Sequence, residues 1–152
     1  MAKIAFKEYY LDKITYKENE NYNQESENPL KISTNFNSDI LFSKDNVLVS
    51  IEAELGDFDD EDCPFKLEVS LNGYFKYTVD KDDSKDVEQL KQLVTQNALA
   101  ILYPYLRNVV SDVTLKSNRF PAYILPVMNI AELMKKNDSI KIYDIGDLKS
   151  KD

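Results

Sequence analysis

The spacing of apolar residues changes once along this chain, and that change restricts the fold more than any other feature. From Phe65 to Val79 apolar side chains fall on alternate positions, Phe65, Leu67, Val69, Leu71, Phe75, Tyr77 and Val79, interrupted only by Gly73. Lys66, Glu68, Ser70, Asn72, Lys76 and Thr78 take mostly the other parity. Alternation of this kind predicts a strand with one wet face, and the glycine predicts a bend or a close backbone approach. From Ser84 onward the step becomes three or four: Val87, Leu90, Val94, Ala98, Ile101, Tyr105, Val109 and Val113 form one helical stripe. Ser84 is placed to cap that helix, with Asp86 and Glu88 in its first turns, and the helix is expected to end near Leu115 or Lys116.

Two earlier segments repeat the strand pattern. Leu30, Ile32, Thr34 and Phe36 share one face, as do Val47, Val49, Ile51, Ala53 and Leu55. Residues 4–16 are also extended in character, but their alternation slips near Tyr9–Tyr10, which predicts a bulge or two short strands. NENYNQESENP (19–29) reads as a loop. A short second helix is expected over Ile130–Lys136, followed from Asn137 by a charged tail expected to be mobile. Strands come first and helices after them. That order means α+β, with helices packed on one face of an antiparallel sheet, and 152 residues suit one domain, 1–152.

The long helix carries a second stripe, Leu99, Leu102, Leu106 and Val110, and Ala98–Leu106 contains no charge. A helix apolar all round is buried all round. One stripe is expected to cover the sheet, and the stripe Leu99–Val110 is expected to meet a neighbouring subunit. Pro104 removes the hydrogen bond to the Ala100 carbonyl and predicts a kink there; a kinked core helix is the plain alternative. FPAYILPVMNI (120–130) poses a similar problem. Pro121 and Pro126 forbid regular structure, yet Phe120, Tyr123, Ile124, Leu125, Val127 and Met128 are too apolar for a solvated loop. Such a segment either packs fully as a core-covering crossover or lines an adaptable apolar groove.

Several functions are excluded or disfavoured. A net charge of −8 repels phosphate backbones, so unfolded or basic chains are better partners than nucleic acid. No run approaches the roughly 20 apolar residues that cross a bilayer, and MAKIAFKEYYLDK lacks a signal-peptide pattern, so a cytoplasmic location is expected. The absence of histidine removes the commonest acid/base and nucleophile pairs and nearly every zinc site. Cys63 sits beside Glu61 and Asp62, which oppose a reactive thiolate. Asp57, Asp59, Glu61 and Glu68 fall at calcium-loop spacing, but Asp62 stands where glycine is required and strands flank the run, so a solvated hairpin loop is the better reading. Gly56, Gly73 and Gly146 form no phosphate loop. No catalytic residue, metal or cofactor is expected.

NALAILYPYLRNVVSDVTLKSNRFPAYILPVMNIAEL (97–133) resembles the C-terminal half of the SecB export-chaperone family. The matching elements are Ile101–Tyr105, Val110–Asp112, Phe120–Pro121, Pro126–Asn129 and Ala131–Leu133. Upstream, CPFKLEVSLNGYFKY resembles the family's last strand with its Gly73–Tyr74–Phe75 ending, and a weaker likeness extends the match to about residues 13–136. The resemblance implies a four-stranded antiparallel sheet backed by one long kinked helix and one short helix, assembled as a homotetramer, a dimer of dimers. It implies an ATP-independent holdase that grips unfolded polypeptides in apolar grooves, with Tyr103, Leu106, Phe120, Tyr123, Ile124, Leu125, Val127, Met128 and Leu133 as candidate groove residues. Family members either pass clients to the motor SecA or protect an antitoxin in a toxin–antitoxin system. Glu68 fits the acidic sheet face that meets SecA. Lys13 and Lys17, however, stand where acids are expected and Lys66 where an apolar residue is usual, so charge at that contact opposes SecA.

Overall fold

The structure, a computed structural model, describes residues 2–79 and 84–144. Four long strands, β1 (Lys3–Glu18), β2 (Thr34–Ser43), β3 (Asn46–Leu55) and β4 (Phe65–Thr78), form the sheet in the order β1-β4-β3-β2, every neighbour antiparallel. The helical part follows: α1 (Ser84–Leu93), a π-helical turn (Val94–Ala98), α2 (Leu99–Ser117) and α3 (Ile130–Lys136). Residues 80–83 and the side chain of Ser84, the expected cap, lie outside the described part.

The alternating residues do what their spacing dictates. Val47, Val49, Ile51, Ala53 and Leu55 of β3 and Phe65, Leu67, Val69, Leu71 and Phe75 of β4 are buried on the face that the helices cover. Each of these side chains larger than Ala53 contributes about 1.5–3 kcal/mol by leaving water. Gly73 lies on the same face. A Cβ there would come within 2.7 Å of Leu102 Cδ2, so the glycine is what lets α2 approach the sheet. In β1 the register against β4 slips twice, between Phe6 and Glu8 and between Leu11 and Lys13. Each slip restores parity. Phe6, Tyr9, Leu11, Ile14 and Tyr16 stand opposite the inward residues Phe75, Gly73, Leu71, Val69 and Leu67, so two bulges keep one apolar face on a strand whose plain alternation fails.

The helix corrects the expected division of its stripes. A π turn inserts one residue, which rotates everything after it by about 100°. Leu90 ahead of it and Val94 and Ala98 at its two ends face the core; behind it Leu99, Leu102, Leu106, Val110 and Thr114 do. Leu99, Leu102, Leu106 and Val110 are 0% exposed within one protomer, so they pack on the protomer's own sheet and are not a surface for a neighbour. The turned-out flank is Ile101, Tyr105, Val109 and Val113, all half-buried. Pro104 sits inside α2 on the exposed side, as does Ala100, so the carbonyl freed by the proline faces solvent.

A fifth strand exceeds the expected four. Ile140–Tyr143, within the segment expected to be a mobile tail, forms β5 and pairs in parallel with Ser38–Leu41 on the outer edge of β2. The turn after α3 makes this possible: Asp138 takes a positive φ of 54°, and the Ser139 N–H donates to the Met134 carbonyl at 2.9 Å. The rest of the tail, 145–152, lies outside the described residues.

Candidate functional site

The crossover from α2 to α3 has no regular structure, yet it is firmly held. Asn118 ends α2 in the left-handed region (φ 55°), the geometry asparagine tolerates best after glycine. From there the chain runs back along α2 and is fastened at three points, each through its main chain. The Tyr123 N–H donates to Thr114 Oγ1 at 2.8 Å, the Arg107 Nε–H to the Leu125 carbonyl at 2.8 Å, and the Tyr103 hydroxyl to the Pro126 carbonyl at 2.6 Å. Burial raises the Tyr103 phenol above its usual range, so the group stays a donor. Leu125, 0% exposed, is the one crossover side chain driven fully into the core. Asn129 then caps α3 by accepting from the Glu132 N–H at 3.1 Å.

What the fastening leaves out is apolar. Ile124 is 64% and Val127 84% exposed, while Phe120, Tyr123 and Met128 are half-buried. A cavity opens on each side of the crossover. The first, about 350 Å³, is lined by Leu30, Ile32, Phe65, Phe120, Pro121 and Tyr123. Tyr22 meets Phe120 edge-on at 5.7 Å. Tyr16, whose ring lies 5.6 Å from Phe65, keeps its hydroxyl buried with no hydrogen-bond partner among the described residues. The second cavity, about 380 Å³, lies between α2 and the crossover, where Tyr103, Pro104, Arg107, Val127 and Met128 converge.

Of the candidate groove residues, Phe120 and Tyr123 line the first cavity and Tyr103, Val127 and Met128 the second. Leu106 and Leu125 lie in the core and reach neither surface. Ile124 points to solvent, and Leu133 lines a different cavity beside Phe36 of β2. Sequence reasoning missed Leu30, Ile32 and Phe65 as the wall facing the crossover, because a strand residue at the rim of a cavity has the same spacing as one inside a core. It also missed Arg107, whose signal was available: it is the first charge after the uncharged run Ala98–Leu106.

The opposite face of the sheet is charged. Glu68 accepts from Lys13 at 2.6 Å and has Lys66 at 3.9 Å; the Lys13 hydrogen bond holds its carboxyl below the usual range. Burial and then a hydrogen bond with Glu54 push Glu52 up. Lys17 and Lys66, cross-strand partners, both lie near the Phe58 ring, at 6.0 and 5.7 Å from its centroid. The acidic run 57–62 spends its polar groups on its own backbone and on the facing loop, where Ser26 Oγ donates to Asp62 at 3.2 Å and Lys31 pairs with Asp60 at 3.6 Å. Asp57 Oδ1 accepts from the Asp59 N–H and Asp60 Oδ1 from the Asp62 N–H, and the buried Asn19 amide bonds the carbonyls of Asp60 and Cys63 at 3.0 and 2.9 Å. Cys63 is free, buried and hydrogen-bonded to the Phe65 carbonyl.

Comparison with known proteins agrees with this arrangement. The family model of the preprotein translocase subunit SecB matches residues 2–140. An uncharacterised protein of Methanocaldococcus jannaschii is 26% identical over 144 residues, 91% of this chain and 86% of that one. The protein-export protein SecB of Anaplasma phagocytophilum is 32% identical over 72 residues, 47% of this chain and 44% of that protein. Among solved structures, a SecB-like chaperone of Mycobacterium tuberculosis, in complex with a ChAD peptide from the HigA1 antitoxin, shares the fold with a TM-score of 0.65 at 16% identity, covering 82% of this chain and 90% of that one. No helix among the described residues is long and apolar enough to cross a membrane. With a family match over nearly its whole length and the family's fold around the proline-bounded crossover, the chain belongs to the SecB family of chaperones.

Proposed function

We propose that the protein is an ATP-independent holdase of the cytoplasm that grips unfolded polypeptide segments along its crossover. One observation carries this reading. The apolar segment 120–128 is fastened through its main chain around a single buried leucine, which leaves aromatic and aliphatic side chains beside two open cavities. A closed core would have buried them. Aromatic rings and a flexible methionine suit clients of varied sequence. Val127→Asp, at an 84% exposed position, is expected to weaken suppression of a client's aggregation about tenfold without lowering the thermal midpoint. Unchanged suppression would move the grip elsewhere.

The same face supports assembly of a homotetramer. Tyr9, Leu11 and Ile14 are 40–49% exposed on the helix-covered side of β1, and Tyr9 stacks on Tyr105 at 4.1 Å, beside the turned-out flank of Ile101, Val109 and Val113. This band replaces Leu99, Leu102, Leu106 and Val110 as the surface for a second copy. A monomeric mass by light scattering at micromolar concentration would refute it.

A dedicated role in protecting an antitoxin is favoured over hand-off to SecA by the charge on the outer sheet face. There Glu68 is already neutralised by Lys13 and Lys66, and Lys17 adds a further positive charge. Calorimetry showing tight SecA binding at physiological salt would reverse that preference.

A further inference from the structure

The outer edge of β2 is only half covered. The hairpin between β2 and β3 turns on two residues, Lys44 and Asp45, so its closing pair Ser43–Asn46 is a hydrogen-bonded pair and odd-numbered residues of β2 aim their bonds at β3, Asp39 through the Ser50 hydroxyl. Even-numbered residues therefore aim their N–H and C=O at the other side. Two contacts agree: the Gly56 N–H donates to the Ser33 carbonyl at 2.8 Å on the β3 side, and the Ser38 N–H donates to the Ser139 carbonyl at 3.0 Å on the outer side. β5 takes the outward groups of Ser38 and Ile40. Among the described residues no strand lies beside the outward groups of Thr34 and Phe36, because the chain ahead of β5 turns away at Asp138 into α3. Beside that stretch lies a cavity of about 580 Å³, lined by Thr34, Phe36, Leu133, Met134, Asn137 and Ser139.

We propose that the β2 edge from Thr34 to Leu41 is one strand-addition site for an extended polypeptide backbone, whose second half the chain's own β5 holds shut. The proposal rests on the holdase reading and names how the client's main chain is held. β5 itself shows that the edge takes an extended segment in parallel, and it does so over only four residues. The open stretch, four residues or roughly 13 Å of strand, offers paired donors and acceptors, and the amides of Asn35, Asn37 and Asn137 stand beside it. A site that reads main chain fits a partner whose side chains vary, since every client carries the same N–H and C=O. By its register Lys141 exchanges bonds with Ser38 and Ile40, so weakening β5 at that residue frees the rest of the edge.

The test uses the full chain and a fluorescent peptide alternating tyrosine with serine, with two derivatives N-methylated on all tyrosines or on all serines. Side chains are kept, but one edge of the peptide strand loses its donors in each derivative. One derivative is expected to bind about tenfold more weakly and the other within about twofold of the parent. Thr34→Pro, which deletes an outward donor and leaves the β3 ladder intact, is expected to weaken the parent peptide. Lys141→Pro is expected to tighten it roughly threefold or more, by releasing β5. Derivatives that bind like the parent, or that lose affinity equally, overturn the proposal, as does a Lys141→Pro affinity no higher than that of the unaltered chain. If the parent peptide binds and Val127→Asp weakens it while methylation does nothing, the holdase reading stands and the edge site falls. If the parent does not bind at all, both fall.

Discussion

Leu125→Ala is the sharpest probe of how the crossover is held. The substitution removes three carbons from a side chain that is 0% exposed, worth about 2.4 kcal/mol at roughly 0.8 kcal/mol per buried CH₂. A cavity term adds to this wherever the surroundings cannot close in. Here they are restrained, because the Leu125 carbonyl is bonded to Arg107 and the next carbonyl, of Pro126, to Tyr103. The expected loss therefore lies in the upper half of the usual range of about 2–5 kcal/mol, or roughly 7–20 °C in thermal midpoint for a chain of this size. The assay is paired thermal and urea unfolding at matched protein concentration, since an oligomer's midpoint depends on concentration. Val127→Ala and Ile124→Ala, three positions or fewer away, are expected to stay within about 0.5 kcal/mol. A loss below about 1 kcal/mol for Leu125→Ala, or one of equal size for Val127→Ala, would refute the picture of one buried anchor with exposed neighbours.

Three further outcomes are expected. Gly73→Ala forces a methyl to within 2.7 Å of the buried Leu102 and should lower stability by about 1–3 kcal/mol in urea unfolding, with Leu102→Ala partly relieving the effect. Asn19→Ala strips donors from the carbonyls of Asp60 and Cys63 and should cost about 1–3 kcal/mol, read as a lower thermal midpoint. Glu52 is held above its ordinary range, so its ionised form weakens the fold at neutral pH and the loss disappears as pH falls through the raised value; Glu52→Gln should thus raise the midpoint slightly at about pH 7 and leave it unchanged near about pH 3, where the Glu52 carboxyl is protonated in the folded and the unfolded chain alike.

Much of the fold can be read from residue spacing because a sheet with one wet face writes its pattern directly into the chain. β3 and β4 keep strict alternation, and their inward residues are the buried ones. β1 is legible only in part. Its slip near Tyr9–Tyr10 signals a bulge, but two bulges are needed to set Phe6, Leu11 and Tyr16 on one face. The helix misleads for a physical reason: periodicity assumes a constant 100° step, and a single π turn at Val94–Ala98 exchanges the roles of the two stripes. β5 has too few residues to show a period, and its parallel partner is about a hundred positions away. In the crossover, composition reveals that FPAYILPVMNI must cover something. It does not reveal which of its side chains is the anchor, because that depends on where Thr114, Arg107 and Tyr103 catch the main chain.

That manner of fastening has an evolutionary corollary. All three ties end on peptide groups that any sequence supplies, so positions 124, 127 and 128 can be exchanged over generations without loosening the scaffold. Descendants could acquire a taste for different cargo through one or two substitutions while the architecture stays still.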